Sequence, residues 1–519
     1  MFDNTKPNIV ILTDHTDPLL MLKLFGASKV AAELRMAGFQ VAVINHLHLF
    51  TVEEIKNILV QLVSDQTVFV GTSPFFYKNI ENVLTDHEFD HEQGGKKYGT
   101  KELGSFLPHG IKYNQEIKHL IKGINPNCKF VIGGPDAQDR QYNKDYDYVI
   151  VGYGDNSGPN LARHLAYGEP LEKSHRSLYG PVIVDDRLAS NYNFNSSLMS
   201  YEDHDALLPG ETMLTEIARG CIFRCGFCSY PLNGKKKLDH IKLDDILYQE
   251  FMDNYEKYGI TRYMFSDDTY NDSVDKIKMM HAVSKRLPFQ LEYWACLRLD
   301  LLGAHPETID LLYESGLRAM MFGIETLHEK ASKIIGKGGS RAKQIATINY
   351  IKEKYGNNVM MHGSFIFGLP EEPIESMLDT ADRLVSGEIK LDSWAIHAFR
   401  LQHKGMSYTS EFDLNPEKYG YEPYDNTLGG NRLIWKNKFT NFYECEKLAQ
   451  ETLKRGAIKL KLNKIAGVTS MFIAGLGFDL QYSANKNVVD FDWHQIDLAK
   501  QRRSAEYKEL LYKQLNIQP

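Results

Sequence analysis

Between Met213 and Arg400 the chain repeats one pattern six times: a short apolar run, a few polar or glycine residues, and an amphipathic segment. Strands that alternate with helices predict a parallel sheet with helices packed against it. Six repeats are fewer than the eight that close a (β/α)8 barrel, so the pattern predicts a partial (β/α)6 barrel. In such folds the active site lies at the carboxyl ends of the strands.

Polar residues follow the apolar runs at the positions where an active site is expected. The predicted strands cover residues 213–218, 262–265, 289–297, 318–322, 359–366 and 393–398. Asp267 and Asp268 follow the second strand, Arg298 follows the third and Glu325 follows the fourth, while His397 lies in the sixth. The predicted barrel therefore also predicts a functional site at the carboxyl ends of its strands.

The first of these strands leads into three cysteines, Cys221, Cys225 and Cys228, within eight residues. Thiolates hold iron–sulfur clusters, usually four of them for a four-iron cluster. With no fourth cysteine nearby, one iron lacks a protein ligand, and an open position is where metal sites do chemistry. One alternative is a structural zinc site that recruits His240, although His240 lacks finger-like spacing. The other is a thioredoxin-like redox pair of Cys225 and Cys228, which needs a thioredoxin-type βαβ context and leaves Cys221 unexplained.

This spacing, with Phe227 directly before the last cysteine, resembles the radical S-adenosylmethionine (radical SAM) superfamily. The resemblance covers about residues 213–400 and includes Gly323-Ile324-Glu325 and Gly336-Lys337-Gly338. Phe365–Pro370 follows the family's Gly-Leu-Pro-Gly-Glu pattern, with Glu371 in place of the second glycine. The resemblance implies a 4Fe–4S cluster on the three cysteines, whose open iron is chelated by SAM. It also implies reductive cleavage of SAM to a 5′-deoxyadenosyl radical.

The resemblance further implies which residues contact SAM: Phe227, Asp267, Asp268, Arg298, Glu325 and Ser364. A planar guanidinium suits the carboxylate of SAM, and a carboxylate suits ribose hydroxyls. The alternative for Arg298 and Glu325 is a plain ion pair between them. Cys296, in the third strand, is interpreted as a buried, inert thiol.

Residues 1–184 show a second alternation of strands and helices, which predicts a Rossmann-like domain. Glycines end two of its strands, where such folds bind ligands. This order resembles the cobalamin-binding domain found in front of many radical SAM enzymes, and the implied cobalamin contacts are Ser73, Gly133, Gly134, Gly152 and Gly154. Asp14 and His15 are adjacent, so the Asp-x-His-x-x-Gly motif is absent and the resemblance implies no histidine ligand to cobalt. The alternative is a domain that keeps the fold without the cofactor.

Three further segments complete the predicted organisation. Residues 75–110 form a long insertion whose His87, His91 and His109 lack metal-ligand spacing and are interpreted as solvated. Residues 185–210 read as a linker. Residues 401–519 predict a mostly helical domain in which helices over 442–461 and 496–515 cap the barrel. Its aromatic residues are predicted to line a pocket or to lie in the core: Tyr408, Tyr421, Tyr424 and Trp435.

Composition limits the setting and the partners. The chain has 519 residues and a net charge of −7, so it shows no general attraction to nucleic acid or anionic membranes. No apolar run reaches the roughly 20 residues that span a bilayer, and the first residues lack the features of a signal peptide. The clustered cysteines predict a reducing, cytoplasmic location rather than a disulfide framework.

The predicted function is a radical SAM enzyme, specifically a cobalamin-dependent methyltransferase that acts at an unactivated carbon or a phosphinate phosphorus. Its substrate is a small molecule or a peptide, and its reductant is a protein such as flavodoxin or ferredoxin. One alternative is a radical SAM rearrangement or cyclisation without methyl transfer. Another is a non-catalytic cluster or zinc protein. The isolated Cys128 and Cys445 argue against a second full cluster, and so against the methylthiolating branch.

Overall fold

The structure is a computed structural model that divides into two compact units. It describes residues 2–3, 5–13, 21, 23–72, 115–134, 146–177, 180–186, 193–230, 232, 234–235, 240–402, 409–425, 432–460, 467–484 and 491–519. The first unit comprises residues 1–193, 199–209 and 498–519. The second comprises residues 194–198 and 210–497.

The first unit is built on a seven-stranded sheet. Its strands are β1 (Asn8–Leu12), β2 (Gln40–Ile44), β3 (Thr67–Thr72), β4 (Lys129–Gly133), β5 (Tyr148–Gly152), β6 (Ser174–Arg176) and β7 (Val182–Asp186), in the order β2-β1-β3-β4-β5-β7-β6. All neighbours are parallel except β6 and β7. The helices are α1 (Phe25–Met36), α2 (Val52–Leu62) and α3 (Ser157–Tyr167), and residues 115–124 are also helical. This is the Rossmann-like arrangement that the sequence predicts.

Both faces of this sheet are buried at its central strands, which explains why β1 and β2 are apolar at nearly every position. Val10 and Ala42 belong to the apolar cluster on one face, whereas Ile9 and Val41 belong to the cluster on the other. Successive side chains of a strand point to opposite faces, so a sheet covered on both sides needs apolar residues at every position.

The second unit is built on a six-stranded parallel sheet in which each strand lies beside its predecessor. The strands are β8 (Thr212–Thr215), β9 (Arg262–Phe265), β10 (Glu292–Leu297), β11 (Leu317–Glu325), β12 (Met360–Phe367) and β13 (Ser393–Ala398). The helices among them are α4 (Asp244–Tyr258), α5 (Val274–Arg286), α6 (Leu299–Ala304), α7 (Thr308–Glu314), α8 (Glu329–Ile334), α9 (Arg341–Tyr355) and α10 (Ile374–Ser386). The predicted partial (β/α)6 barrel is confirmed.

The segment after β13 contains a small antiparallel sheet and five helices among the described residues. The strands are β14 (Leu401–Gln402), β15 (Glu422–Asp425) and β16 (Arg432–Lys436). The helices are α11 (Glu411–Leu414), α12 (Phe442–Leu460), α13 (Gly467–Gly475), α14 (Leu480–Ala484) and α15 (Trp493–Leu515). Met471 and Ala474 of α13 pack among Trp294, Ala319 and Met360 of the barrel strands, so α13 fills one end of the barrel interior.

The end of the chain differs from the expectation that it caps the barrel. Residues 498–519 belong to the first unit, where Tyr507, Leu511 and Leu515 of α15 join the core of the first sheet. The Tyr507 hydroxyl donates to Asn45 O and accepts from Asn45 N–H, both at 3.1 Å. Residues four apart share one face of a helix, so this apolar stripe docks as a unit.

In the described part of the chain, every helix is too short or too polar to span a lipid bilayer.

Candidate functional site

The three cysteines lie in one loop that leaves the carboxyl end of β8. Gly220 opens the loop with a φ of 89°, and a Cβ there would lie 2.5 Å from Leu232 O. Cys221 N–H donates to the same carbonyl at 3.0 Å, and Cys228 N–H donates to Cys225 O at 3.0 Å. These hydrogen bonds fold the loop back on itself at the edge of the barrel where the sequence predicts the site.

Hydrogen-bonding and charged groups surround two of the three sulfur atoms. Phe223 N–H donates to Cys221 Sγ at 3.4 Å, and the Cys221 thiol donates to Thr269 Oγ1 at 3.4 Å. Arg298 Nη1 lies 3.6 Å from Cys225 Sγ. Hydrogen-bond donors and a nearby cation stabilise negatively charged sulfur, whether it is a thiolate or a cluster ligand.

The donor set fits an iron–sulfur cluster better than a single ion. No disulfide joins the six cysteines, all of which the structure describes. Within the described ranges, no three His, Cys, Asp or Glu side chains converge to hold one metal ion. A 4Fe–4S cluster does not need that convergence, because each cysteine binds a different iron. His240, the proposed fourth zinc ligand, is buried with its Nε2 3.1 Å from Asp272 Oδ2.

Arg298, at the carboxyl end of β10, is held from several sides. Its Nε and Nη2 donate to the two oxygens of Asp300, at 3.0 and 2.7 Å, and Nη2 also donates to Gly336 O at 3.2 Å. The Phe223 ring centroid lies 3.9 Å from its guanidinium carbon. Asn271 hydrogen bonds the Arg298 backbone through its side-chain oxygen and nitrogen, at 2.8 and 2.9 Å. The cation therefore has a fixed position beside the cysteine loop.

Glu325, at the end of β11, pairs with Lys337 at 2.9 Å between Oε1 and Nζ. Lys337 also donates to Gly323 O, and a Cβ at Gly323 would lie 2.5 Å from Glu325 Oε1. The alternative of an ion pair between Arg298 and Glu325 is wrong, since Asp300 binds one and Lys337 the other. Sequence reasoning missed both partners, although the Gly-Lys-Gly segment contained a signal for Lys337.

Phe227, the predicted aromatic contact of SAM, lies beside this pair. Its ring centroid is 5.8 Å from Lys337 Nζ. Glu325 itself has a φ of 66°, in the left-handed region that non-glycine residues seldom adopt. Such strain is found mostly where the surrounding structure imposes a side-chain direction.

Asp267, which follows β9, is buried and bound by the protein. Its Oδ1 accepts from Ile217 N–H at 2.8 Å and Ala218 N–H at 3.2 Å, so it holds the backbone that leads into the cysteine loop. Its Oδ2 lies 3.4 Å from Lys276 Nζ, which pairs in turn with Asp272 at 2.6 Å. Its position indicates a role in placing the loop, and its direct contact with SAM stays a prediction.

Asp268 is half-buried beside Asp267. Burial, followed by the charge of Asp267, raises the pKa of the Asp268 carboxyl to about 6. A carboxyl with this pKa can hold or release a proton near neutral pH, which suits a functional site.

The barrel interior contains two rows of half-buried side chains defined by the strand register. The lower row is Cys296, Met321, His362 and Ser393, and the upper row is Gly323, Ser364 and Ala395. Side chains two residues apart on a strand point the same way, so both rows face the interior. The upper row contains only small residues, including the predicted Ser364.

His362 is the titratable side chain of the lower row that sequence reasoning missed. Its Nδ1 lies 2.8 Å from Ser393 Oγ. Burial, followed by the nearby His397, lowers the pKa of His362 to about 4, so its ring is neutral at physiological pH. Burial also raises the pKa of the Cys296 thiol to about 12, which supports its interpretation as inert. The alternation of His362 with Ser364 along β12 was the available signal.

The four predicted cobalamin contacts that the structure describes, all glycines, lie at the carboxyl ends of β4 and β5 in the first unit. Three of them have left-handed backbone, with φ values of 127° for Gly134, 120° for Gly152 and 82° for Gly154. A Cβ at Gly154 would lie 3.1 Å from Val30 Cγ2, so this glycine also permits close packing of α1. Gly133 ends β4, and its backbone lies at the same edge. This glycine-rich edge fits a ligand that approaches the backbone closely.

Several predicted residues lie outside the described residues: Ser73, Asp14, His15, His87, His91, His109 and Tyr408. Among the predicted aromatic residues, Tyr421 and Trp435 are fully buried, whereas Tyr424 is exposed. The prediction that these aromatic residues lie in the core therefore holds for Tyr421 and Trp435.

Residues 215–384, which run from the end of β8 into α10, match the family model described as the Radical SAM superfamily. The partial barrel with its cysteine loop is therefore a radical SAM domain.

Among curated proteins, an uncharacterized methyltransferase of Pyrococcus horikoshii is 25% identical over 302 residues, 54% of this chain and 63% of that protein. The bacteriochlorophyllide d C-12(1)-methyltransferase of Chlorobaculum tepidum is 23% identical, over 47% of this chain and 52% of that one. A putative methylthiotransferase of Methanocaldococcus jannaschii is 24% identical, over 47% and 54%. The chain thus spans between about half and two thirds of the length of these relatives.

Among solved structures, the radical SAM methyltransferase TsrM of Kitasatospora setae, determined with cobalamin and a 4Fe–4S cluster bound, superposes with a TM-score of 0.64 at 12% identity. That match covers 96% of this chain and all of the other. The cobalamin-dependent radical enzyme OxsB, determined with aqua-cobalamin and SAM, superposes with a TM-score of 0.54 at 12% identity, over 96% of this chain and 66% of that one. This likeness shows a shared fold in both units: a Rossmann-like domain, a partial parallel barrel and a helical C-terminal region.

Proposed function

We propose that this protein is a cobalamin-dependent radical SAM methyltransferase. The cysteine loop at the carboxyl edge of the barrel, with Arg298 beside Cys225, is the observation that carries the proposal. The fold likeness to TsrM and OxsB over both units and the methyltransferase names of two relatives support it. When bound, the cluster supplies the electron that cleaves SAM, and cobalamin carries the methyl group.

The residues of this chain have distinct tasks in the proposal. Cys221, Cys225 and Cys228 hold the cluster, and the Arg298 guanidinium stabilises the charge of the cluster and its SAM carboxylate. Glu325 accepts hydrogen bonds from the SAM ribose, since Lys337 engages only its Oε1 among the described residues. The glycine edge of β4 and β5 holds cobalamin.

The two rows of the barrel interior form the substrate chamber. The substrate enters beside the small side chains of Ser364 and Ala395 in the upper row, while Glu325 fills the position beside Gly323. The lower row offers thioether and thiol surface from Met321 and Cys296, and a neutral imidazole from His362. The substrate is a small molecule or peptide whose reacting carbon enters this chamber, and the electron donor is a flavodoxin- or ferredoxin-type protein.

Anaerobic reconstitution with iron, sulfide and hydroxocobalamin tests the proposal. We expect iron–sulfur and corrinoid absorbance, together with SAM cleavage under a strong reductant. Cys225→Ala should lose iron, sulfide and 5′-deoxyadenosine formation, whereas Cys128→Ala, which removes a buried thiol of the first unit, should keep all three. Retention of cluster and cleavage in Cys225→Ala would refute the proposal.

The products formed from SAM distinguish methyl transfer from other radical chemistry. A cobalamin-dependent methyltransferase forms S-adenosylhomocysteine when cobalamin is remethylated, in addition to 5′-deoxyadenosine. A corrinoid-loaded protein that forms 5′-deoxyadenosine and never S-adenosylhomocysteine is a radical SAM enzyme of the rearranging kind. If the protein binds no corrinoid, only the radical SAM part of the proposed function stands.

A further inference from the structure

Gly226 lies between two of the cluster cysteines and is held by two other elements. Its N–H donates to Ile335 O, at the end of α8, at 3.1 Å. Its carbonyl accepts from Phe412 N–H of α11 at 3.1 Å. The loop segment between Cys225 and Cys228 is therefore anchored through both peptide groups that flank the Gly226 Cα.

The Phe412 side chain closes on the same glycine. A Cβ placed on Gly226 would lie 3.0 Å from Phe412 Cζ and 2.5 Å from Cε1, and the second distance is shorter than real Cβ contacts. Gly226 does not have a positive φ, so its backbone would accept an alanine. The requirement for glycine here thus comes from the Phe412 ring and not from the backbone.

Phe412 is itself part of a rigid aromatic cluster, which comprises Phe399, Phe412, Tyr419, Tyr421 and Trp435. The Phe412 ring is fully buried, 4.2 Å from Tyr419 and 5.6 Å from Phe399 between centroids. Aromatic pairs at such separations add favourable contacts beyond their buried area.

Hydrogen bonds tie the aromatic cluster to the ends of the barrel strands. Trp435 Nε1 donates to Phe399 O at 2.7 Å, and the Tyr421 hydroxyl donates to Gly368 O at 2.8 Å. Gly368 has no room for a Cβ, because Trp435 Cη2 would lie 2.4 Å away. The aromatic cluster therefore has a defined position on the carboxyl ends of β12 and β13.

The short helix that carries Phe412 has its own support. Ser410 and Asp413 form a capping box, with the Ser410 N–H donating to Asp413 Oδ2 at 2.7 Å and the Asp413 N–H donating to Ser410 Oγ at 3.2 Å. Gln402 N–H donates to Asp413 Oδ1 at 2.8 Å. Such reciprocal caps hold the first turn of a helix in place.

We infer that Phe412 is a positioning residue for the cluster-binding loop, which it presses into the shape that places Cys225 and Cys228 on the cluster. The inference rests on the proposed function, because it assigns a task toward the cluster. Loss of the ring leaves the loop free to rearrange, so the cluster is held less firmly and is lost more quickly to chelators and to oxygen.

The test compares Phe412→Ala and Phe412→Leu with Phe442→Ala, which truncates a buried ring of α12 instead. Each variant is reconstituted anaerobically, its iron and sulfide are counted, and the decay of its iron–sulfur absorbance in a chelator is followed. We expect decay several-fold faster in Phe412→Ala, an intermediate rate in Phe412→Leu and the wild-type rate in Phe442→Ala. Thermal unfolding of each variant separates loop effects from global destabilisation.

A double variant makes the test specific to the contact. Gly226→Ala should lower cluster content by overpacking against the ring, and adding Phe412→Ala should restore part of it, because the truncated side chain makes room for the new methyl group. Additive losses in the double variant, or a Phe412→Ala protein that decays at the wild-type rate, would overturn the inference while the proposed function stands. A wild-type chain that takes no cluster overturns the proposed function and this inference together.

Discussion

Nη1 of Arg298 lies 3.6 Å from Sγ of Cys225. A positive charge at this distance stabilises the more negative, reduced state of a cluster bound to that sulfur. We expect Arg298→Ala to move the reduction potential of the reconstituted cluster to more negative values and to slow SAM cleavage. Arg298→Lys keeps the charge but loses the two-point contact with Asp300. The reduction potential of the cluster in this variant should therefore lie between those of wild type and Arg298→Ala.

A redox titration followed by electron paramagnetic resonance measures these potentials. Arg286→Ala is the matched control, because Arg286 pairs with Asp245 at the protein surface at 2.8 Å. An unchanged potential in Arg298→Ala would show that the guanidinium does not act on the cluster.

Lys276 lies fully buried between two carboxylates, 2.6 Å from Asp272 and 3.4 Å from Asp267. Removing one partner of a buried ion pair leaves uncompensated charge, which typically costs about 3–5 kcal/mol. We therefore expect Lys276→Met to lower the free energy of unfolding by about that amount and to disorder the cysteine loop through Asp267. Chemical denaturation measures the loss, and Lys278→Met, on the exposed side of the same helix, should be close to neutral.

Glu372 is buried, with its Oε1 accepting from Thr326 Oγ1 at 2.5 Å and its Oε2 without a hydrogen-bond partner among the described residues. Burial raises the pKa of its carboxyl from 4.5 to about 8, so the folded protein keeps it protonated while the unfolded chain ionises it. Between these two values the unfolded state binds fewer protons, and stability falls as pH rises.

Glu372→Gln removes this titration. The Tm of this variant relative to wild type should therefore increase as pH rises from about 4.5 to about 8, and level off above. Glu375→Gln, on the exposed start of α10, serves as the control and should show no such trend. A constant difference between Glu372→Gln and wild type across this range would contradict the assignment.

Glu371 occupies the position of a glycine in the family pattern, and its φ of 62° shows why glycine is favoured there. Its carboxylate pairs with Lys330 at 2.7 Å and Lys438 at 2.8 Å, and these lysines lower its pKa to about 2. Glu371→Ala keeps the unfavourable backbone and loses the ion pairs, whereas Glu371→Gly loses the ion pairs and relieves the backbone. We expect the Gly variant to have the higher Tm of the two, and the opposite order would show that the backbone here is not strained.

Local pattern was enough to predict much of this molecule. The six strands of the barrel, the cysteine loop after the first of them and the polar residues after the next three follow from short-range alternation and spacing. Parallel strands place their carboxyl ends at one edge, so the sequence alone also brought Arg298, Glu325 and the cysteines to the same end of the barrel. The sequence also contains Gly226, but it does not show that the Phe412 ring is the reason for a glycine there.

Only the tertiary structure decided which groups pair and where distant segments pack. Arg298 binds Asp300 and not Glu325, residues 498–515 of α15 pack in the first unit, and Phe412 reaches Gly226 from 186 positions further along the chain. These contacts depend on strand register and on the packing of elements far apart in sequence, and no local period encodes either. The sequence was therefore enough to predict the chemistry of the site. The contacts that hold the site residues in place could be identified only from the tertiary structure.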